Sequence, residues 1–329
     1  MSVIYIREQG AYIKLSGEKI VVTKASDTLL QIPLFMLEHI SLFGNVQITS
    51  QAMTKVLEKG IDISYFSYSG KYIGHTCAQE ARNIFLRLEQ YELYNDIEKR
   101  LKFARIIVNN KIENQMHIIS NYRWSNDYDW KKDVEQMGRC KATLNEKDNV
   151  GSLMGIEGFC SNIYFGAFSK MLKCDFKFTN RNRRPPKDPV NALLSLAYTF
   201  LTRDMCNLLE SESFETYLGF LHGVKYGRKS LALDMIEEFR QPVVDRLVIY
   251  IFNKRILNES DFQEIDNGVF LTKEGFKKFC KEYENWMQGT EKYRMKMKEQ
   301  VSKLKKAIQE GEIYTPYRRK IDKNKMENY

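Results

Sequence analysis

No two cysteines in this sequence are spaced as CxxC, which argues against a zinc knuckle or a dithiol redox centre. The six that occur, Cys77, Cys140, Cys160, Cys174, Cys206 and Cys280, are scattered singly, as expected of reduced, core-filling thiols in a cytoplasmic protein. No apolar run is long enough to span a membrane. The longest uncharged one, residues 189–202, falls short of the roughly 20 residues a spanning helix needs. The start, MSVIYIREQG, has no basic stretch followed by a long apolar one, so no secretory signal is expected. Apart from Pro33, every proline lies at 185 or beyond, so helices before that point meet few breakers. Internal repeats and low-complexity tracts are also missing.

What is present is enough to fold and is basic. Hydrophobic residues make up 43% and aromatics 12%, which supports a real core. Lys and Arg total 51 against 42 Asp and Glu, a net charge of +9. That balance suits a polyanionic partner, nucleic acid or an anionic surface, although a merely basic protein would look the same. Residues 1–76 read as a β-rich, sandwich-like domain: short β-branched or aromatic segments at 3–6, 19–24, 61–66 and 71–74 are separated by Gly, Ser or Asn. One helix interrupts them, with Thr49 or Ser50 as cap and Gly60 as stop. Beyond residue 77 apolar residues recur at helical spacing, so residues 77–290 are expected to form an all-α domain and the whole an α+β two-domain chain. Residues 121–150 read as a helix–loop connection. The stretch 291–329 holds 12 Lys or Arg and 6 Asp or Glu. It reads either as a solvated helix with a frayed tail or as an arm for phosphate or a partner.

Three segments could carry chemistry. In residues 153–168, LMGIEGFCSNIYFGAF, Glu157 is the only charge, and a carboxylate buried there needs a cationic or metal partner. The competing reading is an exposed Glu on an otherwise buried helix. In residues 220–239, His222 precedes a basic loop with Lys225, Arg228 and Lys229, and Ser230 is a plausible helix cap. Asp234, Glu237 and Glu238 follow in an apolar helix, where helical spacing sets Asp234 beside both glutamates. One imidazole with two or three carboxylates suits Mg²⁺ or Mn²⁺ better than structural zinc. Cationic neighbours then suggest a phosphate substrate. In residues 176–201, Arg181, Arg183, Arg184 and Lys187 form a basic turn stiffened by Pro185, Pro186 and Pro189, with Asp188 placed to cap the next helix. It is either a charged surface turn or a clamp on a nucleic-acid backbone.

Taken together, GIEG at 155–158, RRPPKDPVNALLS at 183–195, YLGFLH at 217–222 and SLALDMIEEFR at 230–240 resemble the universal CRISPR-associated integrase, the endonuclease subunit of the spacer-acquisition machinery. SLFGNVQITSQAM at 41–53, GIDISYFSYSGKYIG at 60–74 and EGEIYTPYRRK at 310–320 extend the similarity over nearly the whole chain. The resemblance implies an N-terminal dimerisation domain and a helical catalytic domain. It implies Glu157, His222 and Glu237 as ligands of a divalent metal, with Asp234 as an auxiliary catalytic carboxylate and Asn191 as an orienting residue behind them. Glu237 is preferred over Glu238 by the family register and by its spacing from Asp234. The implied reaction is attack by the 3′-hydroxyl of a short DNA duplex on a phosphodiester at the leader–repeat junction of a CRISPR array. The implied partners are DNA, a second copy of the chain, and a small ferredoxin-like protein bridging two dimers. A stand-alone repair nuclease or branched-DNA resolvase could use the same site. A catalytically idle DNA-binding scaffold would not need it intact.

Overall fold

The computed structural model describes residues 2–77, 83–124, 127–174, 176–182 and 185–319. The chain divides into two compact units, Met1–Glu80 and Ala81–Tyr329.

The first unit contains two four-stranded sheets. One orders its strands β1 (Ser2–Ile6), β5 (Leu37–Phe43), β7 (Asp62–Phe66) and β8 (Tyr72–Thr76); the other runs β4 (Asp27–Pro33), β3 (Lys19–Lys24), β2 (Ala11–Ser16) and β6 (Val46–Ile48). Alternate residues of β2 and β3 point inward, and Ile13, Ile20 and Val22 join Ile4, Ile40, Leu42 and Ile63 in one core. Helix α1 (Ser50–Glu58) adds Ala52 and Val56 to it. Thr49, rather than Ser50, caps this helix by accepting from the Ala52 N–H at 3.2 Å, and Gly60 at φ +71 ends it. The edge strand β4 leaves Leu29 and Leu30 exposed, and Phe35 and Met36 just after it are exposed as well.

The second unit is built on helices α2 (Ile84–Asn95), α3 (Ile97–Asn121), α4 (Trp130–Ala142), α5 (Val150–Met171), α6 (Pro189–Ser211), α7 (Ser230–Ile236), α8 (Arg246–Asn253), α9 (Lys273–Gln288) and α10 (Tyr293–Gln309). Side-chain caps start several of them. Asp96 receives the Lys99 N–H at 3.0 Å, Asn149 that of Ser152 at 2.8 Å, and Asp188 that of Asn191 at 2.8 Å. Pro189 takes the first turn of α6, as its sequence suggests. Helix α3 packs along α4 and α5. The buried thiols of Cys160 and Cys206 are pushed by that burial to about 12, which suits inert core packing.

Three local features differ from expectation. Strands β9 (Phe262–Ile265) and β10 (Gly268–Leu271) add an antiparallel hairpin to the helical unit. Asp266 and Asn267 both sit at positive φ, 48° and 60°, the backbone of a tight two-residue turn. Ser230 does not cap α7: its hydroxyl donates instead to the Gly223 carbonyl at 3.1 Å, and Lys229 holds the cap position without a side-chain capping bond. Residues 311–319 are not frayed, for Tyr314 and Tyr317 are buried.

The most consequential irregularity follows α7. Pro242 has no N–H to give to the carbonyl four residues earlier, that of Glu238, and its ring would clash there. The helix opens after Ile236, and residues Arg240–Asp245 form a wider π turn before α8. The orphaned Glu238 carbonyl accepts from Asn114 Nδ2 of α3 at 3.1 Å.

Candidate active site

Glu237 and Glu238, consecutive on the chain, face different ways. Glu237 turns toward α3 and α5, where Lys111 stands between it and Glu157. The Lys111 ammonium ion-pairs with Glu157 and lies 2.8 Å from Glu237 Oε2. The Ser161 hydroxyl also donates to Glu157 Oε1 at 3.0 Å and is held in turn by Gln115 at 3.0 Å. On the other side Arg240 Nε lies 3.0 Å from Glu237 Oε1. Burial alone would raise the Glu237 pKa, but chiefly the charges of Arg240 and Lys111 outweigh it and hold the carboxyl at about 2. Glu157 is half-buried and paired, so it is not the exposed helix carboxylate of the competing reading.

Glu238 is buried on the opposite side. It accepts from the Tyr314 hydroxyl and from the Tyr317 N–H at 2.6 Å, while Asn110 of α3 donates to the Tyr317 carbonyl at 3.1 Å. Residues 311–319 therefore form a strap across the back of the turn that carries Glu237. Tyr317 stacks on Phe239 with ring centroids 5.1 Å apart, and Tyr314 on Phe103 at 6.0 Å.

His222 is placed by Asp234. The fully buried Asp234 carboxylate accepts the backbone N–H groups of Phe220, Leu221 and His222 at 2.5, 3.0 and 2.9 Å, and lies 2.7 Å from His222 Nδ1. A carboxylate only accepts, so Nδ1 carries a proton and Nε2 is the ring nitrogen left for a ligand. Asp234 is thus bound to the 220–222 turn. Gly219 lets that turn close on α7: a Cβ there would lie 2.7 Å from the Ser230 carbonyl carbon.

Asn191 lies further back. Its side chain accepts from Arg181 Nη1 at 2.7 Å and from the Asn182 N–H at 3.0 Å, and donates to the Asn180 carbonyl at 2.9 Å. It fastens the 180–182 loop to the start of α6. Behind Glu157 and Arg240, the Tyr198 ring carries both Arg240, 4.9 Å away, and Arg181, 5.5 Å away. The Tyr198 and Tyr164 hydroxyls both donate to the buried Asp245.

The basic residues divide by use. Lys187 and Lys225 are exposed, with Lys187 reaching the Asn267 carbonyl at 2.8 Å. Arg228 shapes its own loop, donating to the Gly223 carbonyl at 2.5 Å and to Ser230 Oγ at 3.2 Å. Lys229 is paired with Glu210, and Arg181 with Asn191 and Ser195. Arg183 and Arg184 lie outside the described residues. Sequence reasoning does not single out Lys111, although a run of Asn and Gln around a lysine in mid-helix, NNKIENQ at 109–115, is a mark of buried polar work.

Among the described residues no three metal-ligating side chains converge on one point; the two carboxylates converge on an ammonium instead. The donor set nonetheless fits a hard divalent cation. Glu237 Oε2 is buried and charge-paired yet receives no directed hydrogen bond, and the imidazole offers Nε2.

The family described as CRISPR associated protein Cas1 matches residues 4–285. A CRISPR-associated endonuclease Cas1 of Thermus thermophilus is 33% identical over 286 residues, covering 86% of this chain and 84% of its own. A CAS1 protein structure from Thermotoga maritima superposes with a TM-score of 0.83 at 30% identity, covering 94% of this chain and 97% of its own. A Cas6-RT-Cas1–Cas2 complex superposes with a TM-score of 0.82 at 25% identity, covering 94% of this chain and 35% of that one. No helix among the described residues is long and apolar enough to cross a membrane. With a family match over most of its length and the strand-rich and helical units of its structural neighbours, this chain belongs to the Cas1 family of CRISPR-associated endonucleases.

Proposed function

We propose that Glu157, His222 and Glu237 hold one Mg²⁺ or Mn²⁺ and that the chain uses it to join short DNA duplexes to a CRISPR array. The 3′-hydroxyl of the incoming duplex attacks a repeat phosphodiester; cleavage of DNA is the same displacement with water as nucleophile. One observation carries this reading: two carboxylates from separate elements, α5 and the turn after α7, meet at a single cation position. Such an ion, when bound, polarises the phosphoryl oxygen and stabilises the leaving oxygen. Asp234 fixes the His222 tautomer so that Nε2 is left for the ion. Arg240 keeps Glu237 ionised in its buried position. Asn191 and Arg181 brace the loop that carries Arg183 and Arg184, and those two with Lys187 and Lys225 supply phosphate contacts. Arg228 and Lys229 hold the loop after His222 in shape.

Residues 1–76 join two copies; the exposed Leu29, Leu30, Phe35 and Met36 give the apolar surface such a contact buries. The small ferredoxin-like protein bridges two such dimers, a reading supported by the structural neighbour solved as a Cas1–Cas2 complex. The test is strand transfer by purified protein with that partner, a short duplex and a plasmid carrying the repeat. Glu157→Ala, His222→Ala and Glu237→Ala each end strand transfer and cleavage while the fold and DNA binding are kept, and Glu237→Ala melts lower because it leaves Lys111 and Arg240 without their shared buried carboxylate. EDTA stops the wild type and Mn²⁺ restores it. Full activity in a folded Glu157→Ala or Glu237→Ala protein overturns the assignment.

A further inference from the structure

Lys111 is a buried charge of the site to which the reaction gives no task. It is 8% exposed, projects from the middle of α3, and touches both carboxylates proposed as ligands. Arg240 completes the local charge on the far side of Glu237. Two carboxylates then face two cations, so the ion-free site is already neutral. A divalent ion added without other change would place four positive charges against two negative ones in a poorly hydrated setting, which is strongly unfavourable. The ammonium is the mobile member of the set, because it ends a flexible four-carbon stem, whereas the Arg240 guanidinium is held against the Tyr198 ring.

We propose that Lys111 is a resident cation that competes with the metal: in ion-free protein it occupies the position between Glu157 and Glu237, holds the two carboxylates together, and must leave when the ion binds. This competition rests on the proposed role of Glu157 and Glu237 as metal ligands. It gives the ion-free enzyme a stable folded site and at the same time weakens metal binding. Removing the charge therefore has opposite effects on the two states. Without metal, Glu157 and Glu237 lose their shared partner and repel. With metal, the competitor is gone.

The test is calorimetric titration of the full chain with Mn²⁺, without DNA, alongside melting temperatures with and without the ion. Lys111→Met binds Mn²⁺ at least tenfold tighter than wild type, melts lower in EDTA, and gains more from saturating Mn²⁺. Lys111→Arg, which keeps the charge, stays within about threefold of wild type. Should Lys111→Met not fold in EDTA, Lys111→Gln keeps hydrogen-bond donors without the charge and serves in its place. Mn²⁺ affinity unchanged or weakened in the uncharged variants overturns the inference. Glu157→Gln and Glu237→Gln tell failure of the ligand set from failure of the competition. If they bind Mn²⁺ as tightly as wild type, the ligand assignment fails. If they lose it while Lys111→Met binds no tighter, only the competition fails.

Discussion

Replacing Asp234 by Asn tests how the imidazole is held. The carboxylate receives four donors, two on each oxygen: Phe220 and Leu221 N–H on Oδ2, His222 N–H and His222 Nδ1–H on Oδ1. An amide is nearly the same size but keeps only one acceptor oxygen. Whichever way it turns, its NH₂ meets two N–H donors. Each hydrogen bond to a charged group contributes about 1.5–3 kcal/mol, so two lost bonds cost roughly 3–6 kcal/mol. That exceeds most single substitutions. At about 2–4 °C per kcal/mol for a unit of this size, the melting temperature falls by on the order of 10 °C. The freed imidazole also turns over or changes tautomer, and strand transfer drops by about 10–100-fold. Urea unfolding, Mn²⁺ titration and strand transfer are measured on one preparation. If Asp234 were instead a direct metal ligand, Asp234→Asn would lose Mn²⁺ affinity while its ion-free stability held or rose. That outcome refutes a positioning role for Asp234.

Four further substitutions follow from the structure. Gly155→Ala and Gly158→Ala flank Glu157 on an exposed stretch of α5 where an added Cβ meets nothing within 4 Å. Each raises stability by about 0.5–1 kcal/mol through helix propensity, yet strand transfer falls because DNA must approach that surface closely; unchanged activity in the double variant refutes the second half. Tyr314→Phe removes one donor from the buried Glu238 and keeps the ring on Phe103, so unfolding free energy falls by about 1.5–3 kcal/mol in urea titrations. Burial pushes Asp245 up from 3.8 to about 6, against the Tyr198 and Tyr164 hydroxyls and the nearby Arg240 and Arg181. A raised carboxyl pKa favours the fold below 3.8, and that benefit is lost as pH climbs through 6. Asp245→Asn therefore gains on wild type by up to about 3 kcal/mol between pH 4 and 7. A constant difference in urea stability across that range counts against the assignment.

Glu157 is legible in the sequence because it is the only charge in a long apolar segment, and the need for a cationic partner follows from burial alone. The identity of that partner is not, because Lys111 lies on another helix and only packing of α3 on α5 brings it there. Helical spacing sets Asp234 beside both glutamates, but it does not reveal that Asp234 is taken up by the 220–222 turn or that Glu237 and Glu238 serve opposite sides of the helix. Ser230 has the chemistry of a cap but finds the Gly223 carbonyl first. The hairpin at 262–271 hides its turn in Asp266-Asn267, a pair that tolerates positive φ nearly as well as glycine does. The strap is hidden by composition: so basic a tail reads as solvated, yet its two tyrosines and its backbone dock on the core while Arg318 and Arg319 pair with Glu113 and Glu291.

That strap has a consequence for how the enzyme is made. Glu238 waits for Tyr314 and Tyr317, which lie 76 and 79 residues further along the chain. A ribosome releases the chain from its N-terminus, so every glutamate and histidine of the site emerges before the segment that braces the turn behind Glu237. While it is still being synthesised, the nascent polypeptide carries the parts of a DNA-cutting centre without the brace that aligns them. A product cut short before Tyr314 is left in the same condition. The centre is thereby completed only once Tyr317 has been made.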